Sequence, residues 1–464
     1  MARFFAGMPL SMQAVALFLY SLLAWLAQPL LRRKLARRAL AEPLYGQHVA
    51  ERFGHYTHPP VACEAERPLW IHAVSLGETR AAAILIEALR AQRPGLRLLL
   101  THGTATGRAE GAKLLRAGDM QVWQPWDTPA AVRRFLRHFQ PRAGVLMETE
   151  VWPNLAARCA AQNIPLALAN ARLSAQSWRA ARRWRVLARP TYARLAAAWP
   201  QSDDDARRLQ ALGAPTVAVL GNLKFDARPD AQLLAQGRAW RATLGRPVVL
   251  LASAREGEEA DFLAQIRALA QQREAAPEAD AVAAAAAAIH WLIVPRHPQR
   301  FDAVAQWIEA QGLPLSRRSQ WADSGAPDAS ASIWLGDSLG EMPLYYALAD
   351  VALLGGSFAP LGGQNLIEAA ACGCPLVMGP HTFNFAQAAR WAIAAGAACA
   401  APDMATGVRR AAQLIANAPE RAAMVQAAQT FASAHRGAAT RTAQAVLALL
   451  PAAPARPAAA SGAR

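Results

Sequence analysis

Short runs of apolar residues alternate along most of the chain with longer segments in which apolar positions recur at helical spacing. This alternation is typical of βα units, in which a buried strand is followed by a helix that covers the sheet. In the first half, the runs that predict strands are 69–74, 96–101, 143–148 and 165–170. In the second half they are PVVLLAS (247–253), WLIVPRHP, SIWLGD, VALLGGS and PLVMGP. We therefore expect an α/β protein with two Rossmann-like halves.

The same pattern predicts where the domains begin and end. The boundary between the two halves is expected between Asp226 and Arg246, and a cleft between them is the natural ligand site. The alanine-rich stretch 275–290 predicts an insertion or an extended helix before a strand, and helical sequence fills 401–450. The predicted regions are an anchor with its basic flank (1–38), an amino-terminal domain (39–230), a carboxyl-terminal domain (231–450) and a disordered tail (451–464).

The amino-terminal segment predicts a membrane anchor. Residues 4–31 carry no charge and include AVALFLYSLLAWLA, and about 20 apolar residues suffice to cross a bilayer as a helix. The basic residues that follow, Arg32, Arg33, Lys34, Arg37 and Arg38, place the rest of the chain on the cytoplasmic side. A cleaved signal peptide has the opposite charge order. A helix that lies half-inserted in one leaflet is the alternative to a spanning anchor.

Composition narrows the class of partner. Of the 464 residues, 53% are hydrophobic and 18% charged, which excludes disordered and fibrous classes, and the net charge of +16 indicates a polyanionic partner. The anchor accounts for part of this basic excess, and no nucleic-acid reader motif is present, so an anionic membrane or phosphorylated substrate is favoured over nucleic acid. The five cysteines form no CxxC or Cys/His cluster, so neither a disulfide framework nor a zinc site is indicated.

Carboxylates near predicted strand ends are the candidate catalytic groups of the first half. Glu78, in Ser75-Leu76-Gly77-Glu78, is suited to general-base work. The same S-x-x-E spacing is also a capping box, with Ser75 as the cap. The Gly-rich loop 101–107 could hold an anionic group at a helix start.

Glu148 and Glu150 are expected to share a face at a strand end, where one is catalytic or orients a cation; a solvated loop pair is the alternative.

An arginine-rich stretch follows these carboxylates. Residues 151–202 contain no acidic residue, but their arginines suit phosphate groups of an acidic lipid. A solvated helix face is the alternative. Arg172, Arg179 and Arg182 are the candidate acceptor-binding residues.

The second half contains candidate phosphate- and nucleotide-binding segments. Pro295 and Arg296 end a predicted strand, where the guanidinium could neutralise a phosphodiester. Gly362 and Gly363 lead into a helix start at which Asn365 and Glu368 lie three residues apart, an arrangement that suits phosphate and ribose. Backbone groups of Gly340-Glu341-Met342 could read a base, although this segment also fits an ordinary helix start.

In this order, the motifs resemble those of the 3-deoxy-D-manno-octulosonic acid (Kdo) transferases of lipopolysaccharide assembly. The resemblance extends from the anchor to beyond residue 385. It is carried by WIHAVSLGETRAA, THGTATGR, METEVWPNL, NARLS, GNLKFD, PRHPQRF and GGQNLIEAAACGCPLVMGP. It implies a GT-B glycosyltransferase in which two Rossmann-like domains face a cleft. The implied donor is CMP-Kdo, the implied acceptor is a lipid A precursor at the cytoplasmic face of the inner membrane, and no metal or other cofactor is implied.

The resemblance also assigns roles to individual positions. Glu78 matches the general base for inverting displacement, and Glu148 and Lys224 match positions that stabilise the transition state. The implied CMP-binding residues are Pro295, Arg296, Gly340, Glu341, Met342, Asn365, Leu366, Ile367 and Glu368.

The sequence departs from the family pattern at the donor loops. Ser253-Ala254-Arg255 stands where Ser-Thr-His is common, and Gln364 stands where His is usual. Two alternatives stay open: another membrane-associated GT-B nucleotide-sugar transferase, and a non-enzymatic protein that binds acidic lipid. The number of Kdo groups transferred and the oligomeric state are not indicated by the sequence.

Overall fold

The structure is a computed structural model that describes residues 10–215, 218–275, 281–321 and 327–450. The chain forms two compact units. Of the described residues, the first unit contains those up to Asp226 together with those from Gly437 onward, and the second contains those between Ala227 and Arg436.

The first unit contains a fully parallel six-stranded sheet in the order β3-β2-β1-β4-β5-β6. The strand order changes direction between β1 and β4, where Leu69 pairs with Ala143 and His72 with Leu146. Loops that leave the two sides of such a switch point diverge and leave a crevice, in which open α/β sheets bind ligands. The strands are β1 (Leu69–His72), β2 (Leu98–His102), β3 (Met120–Trp123), β4 (Ala143–Met147), β5 (Leu166–Ala171) and β6 (Ala197–Pro200).

Helices cover both faces of this sheet. On one face, Ile71 of β1 packs with Leu85 and Leu89. On the other, Trp70 packs with Phe135 and Leu155. Burial on both faces explains the continuous apolar runs of the strands. The helices before Asp226 are α1 (Leu10–Leu26), α2 (Gln28–Ala41), α3 (Leu76–Gln92), α4 (Ala105–Ala112), α5 (Pro129–Phe139), α6 (Pro153–Ala161), α7 (Ala175–Arg183), α8 (Arg185–Ala193) and α9 (Asp203–Ala211).

The second unit contains a parallel seven-stranded sheet in the order β13-β12-β11-β7-β8-β10-β9. Its switch point lies between β7 and β11. The strands are β7 (Val248–Ala254), β8 (His290–Pro295), β9 (Leu315–Arg317), β10 (Ile333–Leu335), β11 (Val351–Leu354), β12 (Leu376–Met378) and β13 (Ala398–Ala400). The helices are α10 (Ala231–Thr243), α11 (Glu258–Ala275), α12 (Ala281–Ala287), α13 (Phe301–Glu309), α14 (Met342–Leu348), α15 (Leu366–Ala371), α16 (Ala386–Ala394), α17 (Met404–Ala416) and α18 (Ala418–Ala434).

The two parallel α/β sheets confirm the predicted fold class. Every strand predicted from an apolar run is present, with ends that differ by a few residues. Four strands were not predicted: β3, β6, β9 and β13. Of these, β3 (MQVW) and β9 (LSR) include polar residues and β6 (AAWP) and β13 (ACA) are rich in alanine, so none forms a distinct run of large apolar residues. The predicted tail, residues 451–464, lies outside the described residues.

The end of the described chain returns to the first unit. Helix α19 (Ala438–Ala448) packs on α3, and its Ala443 and Val446 belong to the core of the first sheet. The carboxylate of Asp226 accepts hydrogen bonds from the backbone N–H groups of Gly437 (2.5 Å) and Ala439 (2.8 Å). The prediction that residues 231–450 form one domain is therefore wrong for residues 437–450, because α19 completes the core of the other unit.

The apolar amino-terminal segment is divided between two helices. Pro29 follows the break between α1 and α2, where a residue without a backbone N–H fits the first turn of a new helix. In the part of the chain that the structure describes, no single helix is both apolar and long enough to cross a bilayer. Met12–Leu26 and Gln28–Ala41 together meet that requirement as a pair bent by 47°.

We predict that Asp226→Ala weakens the attachment of α19 to the first unit. Two backbone N–H groups lose their acceptor, and the loss of one such cap costs about 1 kcal/mol. Hydrogen exchange of the α19 amides should accelerate about fivefold. Asp230→Ala, which removes the cap of α10 in the second unit, is the matched control. Exchange in α19 that is equal in both variants would contradict the assigned role of Asp226.

Candidate active site

Glu78 is both a helix cap and a carboxylate at the switch point of the first sheet. After β1 the chain turns, and the Ser75 hydroxyl accepts a hydrogen bond from the Glu78 N–H (3.4 Å) at the start of α3. The Glu78 carboxylate accepts hydrogen bonds from the Val74 N–H (2.7 Å) and the Ser75 hydroxyl (3.3 Å). The Ser75 cap predicted from S-x-x-E is therefore present, but the backbone donor to the Glu78 carboxylate is Val74, the residue before the cap. These contacts fix the carboxylate beside the end of β1.

The surroundings of Glu78 favour its protonated form. Burial raises the pKa of Glu78 to about 7, and the negative charges of Glu148 and Glu150 act in the same direction. The hydrogen bonds from Val74 and Ser75 partly oppose this rise in pKa. A carboxylate that titrates near neutral pH is well matched to general-base catalysis.

The Gly-rich loop 101–107 packs against the turn that holds Glu78. The Thr104 hydroxyl donates a hydrogen bond to the Val74 carbonyl (2.9 Å) and caps α4 by accepting one from the Gly107 N–H (3.1 Å). A Cβ on Gly103 would lie 2.7 Å from Val74 Cγ1, and one on Gly107 would lie 2.8 Å from the Val74 oxygen. The glycines therefore let this loop approach the Glu78 turn closely.

Glu148 lies across the switch point, directly after β4. Its φ of +58° is in the left-handed region, a conformation that costs a residue other than glycine about 1–3 kcal/mol and is concentrated at functional sites. The carboxylate is buried and accepts hydrogen bonds from Lys224 Nζ (3.1 Å) and Asn170 Nδ2 (3.5 Å). The prediction that strand geometry places Glu148 and Glu150 on one face is wrong, because β4 ends at Met147 and Glu148 has a left-handed backbone.

Glu150 nevertheless belongs to the same group of carboxylates. Burial raises the pKa of Glu150, and a hydrogen bond with Trp152 lowers it. Since the Glu150 charge also acts on Glu78, the alternative of a merely solvated pair does not describe Glu148 and Glu150.

Asn170 was not predicted, and it connects the parts of this site. It is buried at the end of β5 with φ +51°, a backbone conformation that asparagine adopts more readily than most residues. Its Oδ1 accepts a hydrogen bond from the Leu223 N–H (3.1 Å) at the start of the short 3-10 helix Leu223–Asp226. One side chain thus contacts Glu148 and supports the segment that carries Lys224. The NARLS motif was the available signal for this residue.

The predicted acceptor-binding arginines occupy two different positions. The Arg172 N–H donates a hydrogen bond to the Glu148 carbonyl (3.0 Å), so this residue lies beside the carboxylate site. Arg179 and Arg182 are exposed on α7, where Arg182 lies 4.9 Å from the centre of the Trp178 ring.

In the second unit, Glu258 holds together the loops that follow β7 and β11. It is buried in the first turn of α11, and its carboxylate accepts four backbone N–H groups. The donors are Gly356 (2.7 Å), Arg255 (2.9 Å), Ala359 (3.1 Å) and Phe358 (3.2 Å). These loops flank the switch point of the sheet. Sequence reasoning assigned no role to Glu258, although an acidic residue next to Gly257 was a signal for a helix start.

Arg296 lies in a cationic cluster after β8. Its Nε donates a hydrogen bond to Gln364 Oε1 (3.2 Å), so the residue that departs from the family pattern contacts the predicted phosphate-binding arginine. Burial lowers the pKa of His297, and the charges of Arg255, Arg296 and Arg300 lower it further. Arg300 forms an ion pair with Glu259 (2.6 Å).

The other predicted donor residues lie at helix starts. Gly340 has φ +85°, Glu341 pairs with Arg318 (2.9 Å), and Met342 begins α14 with its sulfur 3.8 Å from Ser253 Oγ. The structure therefore agrees with a helix start here and leaves base reading as a prediction.

Asn365 precedes α15, and the first turn of that helix contains Glu368. The Asn365 Oδ1 is buried without a hydrogen-bond partner among the described residues. Leu366 and Ile367 are buried in the core, so only their backbone groups are suited to contact a ligand.

Within the described ranges, no group of three or more His, Cys, Asp or Glu side chains is arranged to hold a metal ion.

Two Rossmann-like units, each with polar loops beside the switch point of its sheet, define the GT-B fold class. A glycosyltransferase from Rickettsia africae has the same fold, with a TM-score of 0.53 at 11% identity over 82% of this chain and 98% of that chain.

Comparison of sequences identifies the family. Residues 47–227 match the family model of 3-deoxy-D-manno-octulosonic-acid transferase (kdotransferase). The chain is 52% identical to the 3-deoxy-D-manno-octulosonic acid transferase of Bordetella pertussis, over 81% of this chain and 86% of that protein. It is 31% identical to that of Haemophilus influenzae, over 87% and 91% of the two chains. The chain belongs to the Kdo transferase family.

We predict that Glu150→Gln shifts the pH dependence of catalysis. Loss of the Glu150 charge lowers the pKa of Glu78 from about 7, so the rise of kcat/KM with increasing pH should move to lower pH. Asp203→Asn, which removes an exposed charge on α9, should leave the profile unchanged. A shift to higher pH in Glu150→Gln, or the same shift in both variants, would contradict the coupling.

Proposed function

We propose that this enzyme transfers Kdo from CMP-Kdo to a lipid A precursor in lipopolysaccharide core biosynthesis. The observation that supports the proposal is that Glu78, whose pKa is raised, and the Glu148–Lys224 ion pair lie at the same switch point of the first sheet. The sequence identity of 52% with a Kdo transferase supports Kdo as the sugar that is transferred. The proposal includes a single chemical step, an inverting displacement at the anomeric carbon of the donor.

Glu78 acts as the general base in this reaction. Its carboxylate takes the proton of the acceptor hydroxyl while that oxygen attacks the anomeric carbon and the bond to the CMP oxygen breaks. The capping hydrogen bonds from Val74 and Ser75 hold the carboxylate in one orientation, which lowers the entropic cost of reaching the reactive geometry.

The Glu148–Lys224 ion pair stabilises charge that develops during the transfer. Lys224 supplies a cation and Glu148 an anion at fixed positions, and fixed charges in a partly buried site stabilise a transition state without reorganisation. Asn170 contacts Glu148 and the segment that carries Lys224, so the two charges share one support.

The loops of the second unit bind the donor. CMP departs as a phosphate monoester, which needs neutralisation of negative charge more than a proton, and Arg296 can provide a cation for it. Backbone amides at the starts of α14 and α15, together with Asn365 and Glu368, complete the binding of the nucleotide. The reaction as proposed requires no metal or cofactor.

The amino-terminal helices associate the enzyme with the cytoplasmic face of the inner membrane. Helix α1 exposes large apolar side chains, and Arg33, Lys34 and Arg37 are exposed on α2. Arg32 and Arg38 are also exposed and lie over the rings of Phe53 and Tyr45. An apolar face beside basic residues suits an anionic bilayer, and Arg172, Arg179 and Arg182 suit the phosphates of the acceptor. The apolar residues exposed on α1 are Met12, Val15, Phe18, Leu19, Leu22, Leu23, Trp25 and Leu26.

We predict that Glu78→Gln abolishes transfer and retains donor binding. Glutamine preserves the size of the side chain but cannot accept the proton, and loss of a general base lowers kcat by about 10²–10⁴-fold. Transfer is measured by mass spectrometry of a lipid A precursor incubated with CMP-Kdo, and binding by titration with CMP.

Glu87→Gln, an exposed change on the same helix, is the matched control. Turnover like that of the wild type in Glu78→Gln would exclude the assigned base. If wild type binds CMP but leaves the lipid unchanged, the proposed donor or acceptor is wrong. If the wild type and Glu78→Gln bind lipid equally but neither binds CMP or transfers sugar, the chain functions as a lipid-binding protein.

We predict that the variant Phe18→Asp, Leu23→Asp loses affinity for anionic vesicles. Both side chains are about two-thirds exposed on α1, at 65% and 66%, and a charge there prevents burial of the apolar face in lipid. Cosedimentation with vesicles of phosphatidylglycerol measures the effect. Ile393→Asp, on α16 of the second unit, is the matched control. Full cosedimentation of the α1 variant would show that another surface binds the membrane.

A further inference from the structure

Helix α1 carries two polar side chains that face the first unit. The Ser21 hydroxyl lies within hydrogen-bond distance of Asn154 Oδ1 (2.9 Å) and of the Leu17 carbonyl (2.7 Å), and these two acceptors share its single proton. The Tyr20 hydroxyl donates a hydrogen bond to the carboxylate of Asp127. The helix packs against α6 and α8. A lipid anchor that served only to tether the protein would not require polar contacts with the catalytic unit, since polar groups in an apolar helix reduce its affinity for lipid.

Asp127 is a buried cap for helix α6. The helix begins after Trp152, whose side chain forms no capping hydrogen bond. The carboxylate of Asp127 accepts hydrogen bonds from the N–H groups of Asn154 (2.9 Å) and Leu155 (2.8 Å). The Asn154 side chain donates one to the Asp127 carbonyl (2.7 Å). Two N–H groups at the start of α6 thus depend on one carboxylate from the loop before α5.

The start of α6 is also one end of the catalytic turn. Only Thr149 to Trp152 separate Glu148 from α6, and the Thr149 and Val151 N–H groups form hydrogen bonds within this turn. The other end is fixed in the sheet, where the Glu148 N–H donates to the Ala169 carbonyl (3.0 Å). The position of Glu148 and Glu150 therefore depends on both the sheet and the start of α6.

We propose that Asp127 is a positioning residue for the Glu148–Glu150 turn, and that α1 acts on this turn through Tyr20 and Ser21. The apolar helix is then a component of the catalytic unit, and its attachment sets the geometry of the turn. The kinetic consequence rests on the proposed function of Glu148, whereas the structural coupling does not.

The connection between α1 and α6 passes through the buried Asp127 carboxylate. It therefore depends on the groups that donate hydrogen bonds to that carboxylate. Asp127 is buried, and its pKa is raised to about 6 by burial, against which the hydrogen bonds from Asn154, Leu155 and Tyr20 act. Removing one donor leaves a buried anion with fewer hydrogen bonds, which is costly in a site of low polarity. The remaining contacts with the start of α6 must then readjust.

The test uses the full chain with the double variant Tyr20→Phe, Ser21→Ala, which removes both polar contacts and leaves the exposed apolar face of α1 intact. Tyr56→Phe is the matched control, because the buried Tyr56 hydroxyl has no hydrogen-bond partner among the described residues. Asp127→Asn is a second variant that acts on α6 without passing through α1. Hydrogen exchange of the Asn154 and Leu155 amides is measured together with kcat and KM for CMP-Kdo.

We expect exchange of the two amides to accelerate about tenfold and kcat to fall about tenfold, each equivalent to about 1.4 kcal/mol, in the double variant and in Asp127→Asn. KM for CMP-Kdo and vesicle binding should not change, and Tyr56→Phe should match the wild type. A merely structural role would lower the melting temperature without separating kcat from KM.

Three outcomes would overturn the inference. Unchanged exchange at Asn154 and Leu155 in the double variant, with or without a fall in kcat, would show that α1 does not act on α6. Accelerated exchange with normal kcat would show that the turn does not depend on this contact. If exchange accelerates and kcat falls in Asp127→Asn alone, Asp127 positions the turn without a contribution from α1. If the wild type transfers no Kdo, the exchange measurement still decides the coupling, so the two failures are distinguishable.

Discussion

The first unit depends on the placement of two acidic side chains on opposite sides of a sheet switch point. Adjacent parallel strands deliver Glu78 and Glu148 to the same crevice, where burial and mutual repulsion disfavour two negative charges. The structure resolves this conflict with Lys224 and Asn170, which compensate Glu148 directly, while Glu78 is left with a raised pKa. The negative charge of Glu148 is compensated, whereas that of Glu78 is compensated incompletely. The two carboxylates therefore differ in chemistry within one site.

In the second unit, a buried carboxylate has a different role, because it holds together the loops that follow β7 and β11. These loops are rich in glycine and have few side chains that could fix them. Glu258 supplies the missing order by accepting four backbone N–H groups from two loops. Its negative charge is compensated by these backbone groups. A single buried carboxylate thus holds two loops in place without a side-chain cation.

Much of this arrangement was predictable from sequence, for identifiable reasons. Long apolar runs mark strands buried on both faces, and the polar residues after them mark the crevice, so Glu78, Glu148 and Arg296 could be found. The strands that were missed lack a run of large apolar residues, because β6 and β13 are rich in alanine and β3 and β9 contain polar residues. Asn170, Glu258 and Asp127 act through contacts with backbone groups distant in sequence, and no spacing rule encodes such partners. The left-handed backbone conformation of Glu148 could not be predicted from sequence spacing either.

The return of α19 to the first unit has a consequence for biosynthesis. Helix α3 gains part of its apolar cover only from α19, and all of Ala227–Arg436 is translated in between. At the usual rates of translation this interval lasts roughly 10–40 s. During that time the second unit is still being synthesised, while the nascent first unit exposes an apolar surface. The part of the enzyme that is synthesised first is therefore finished last, and it is the part that a holding chaperone would protect.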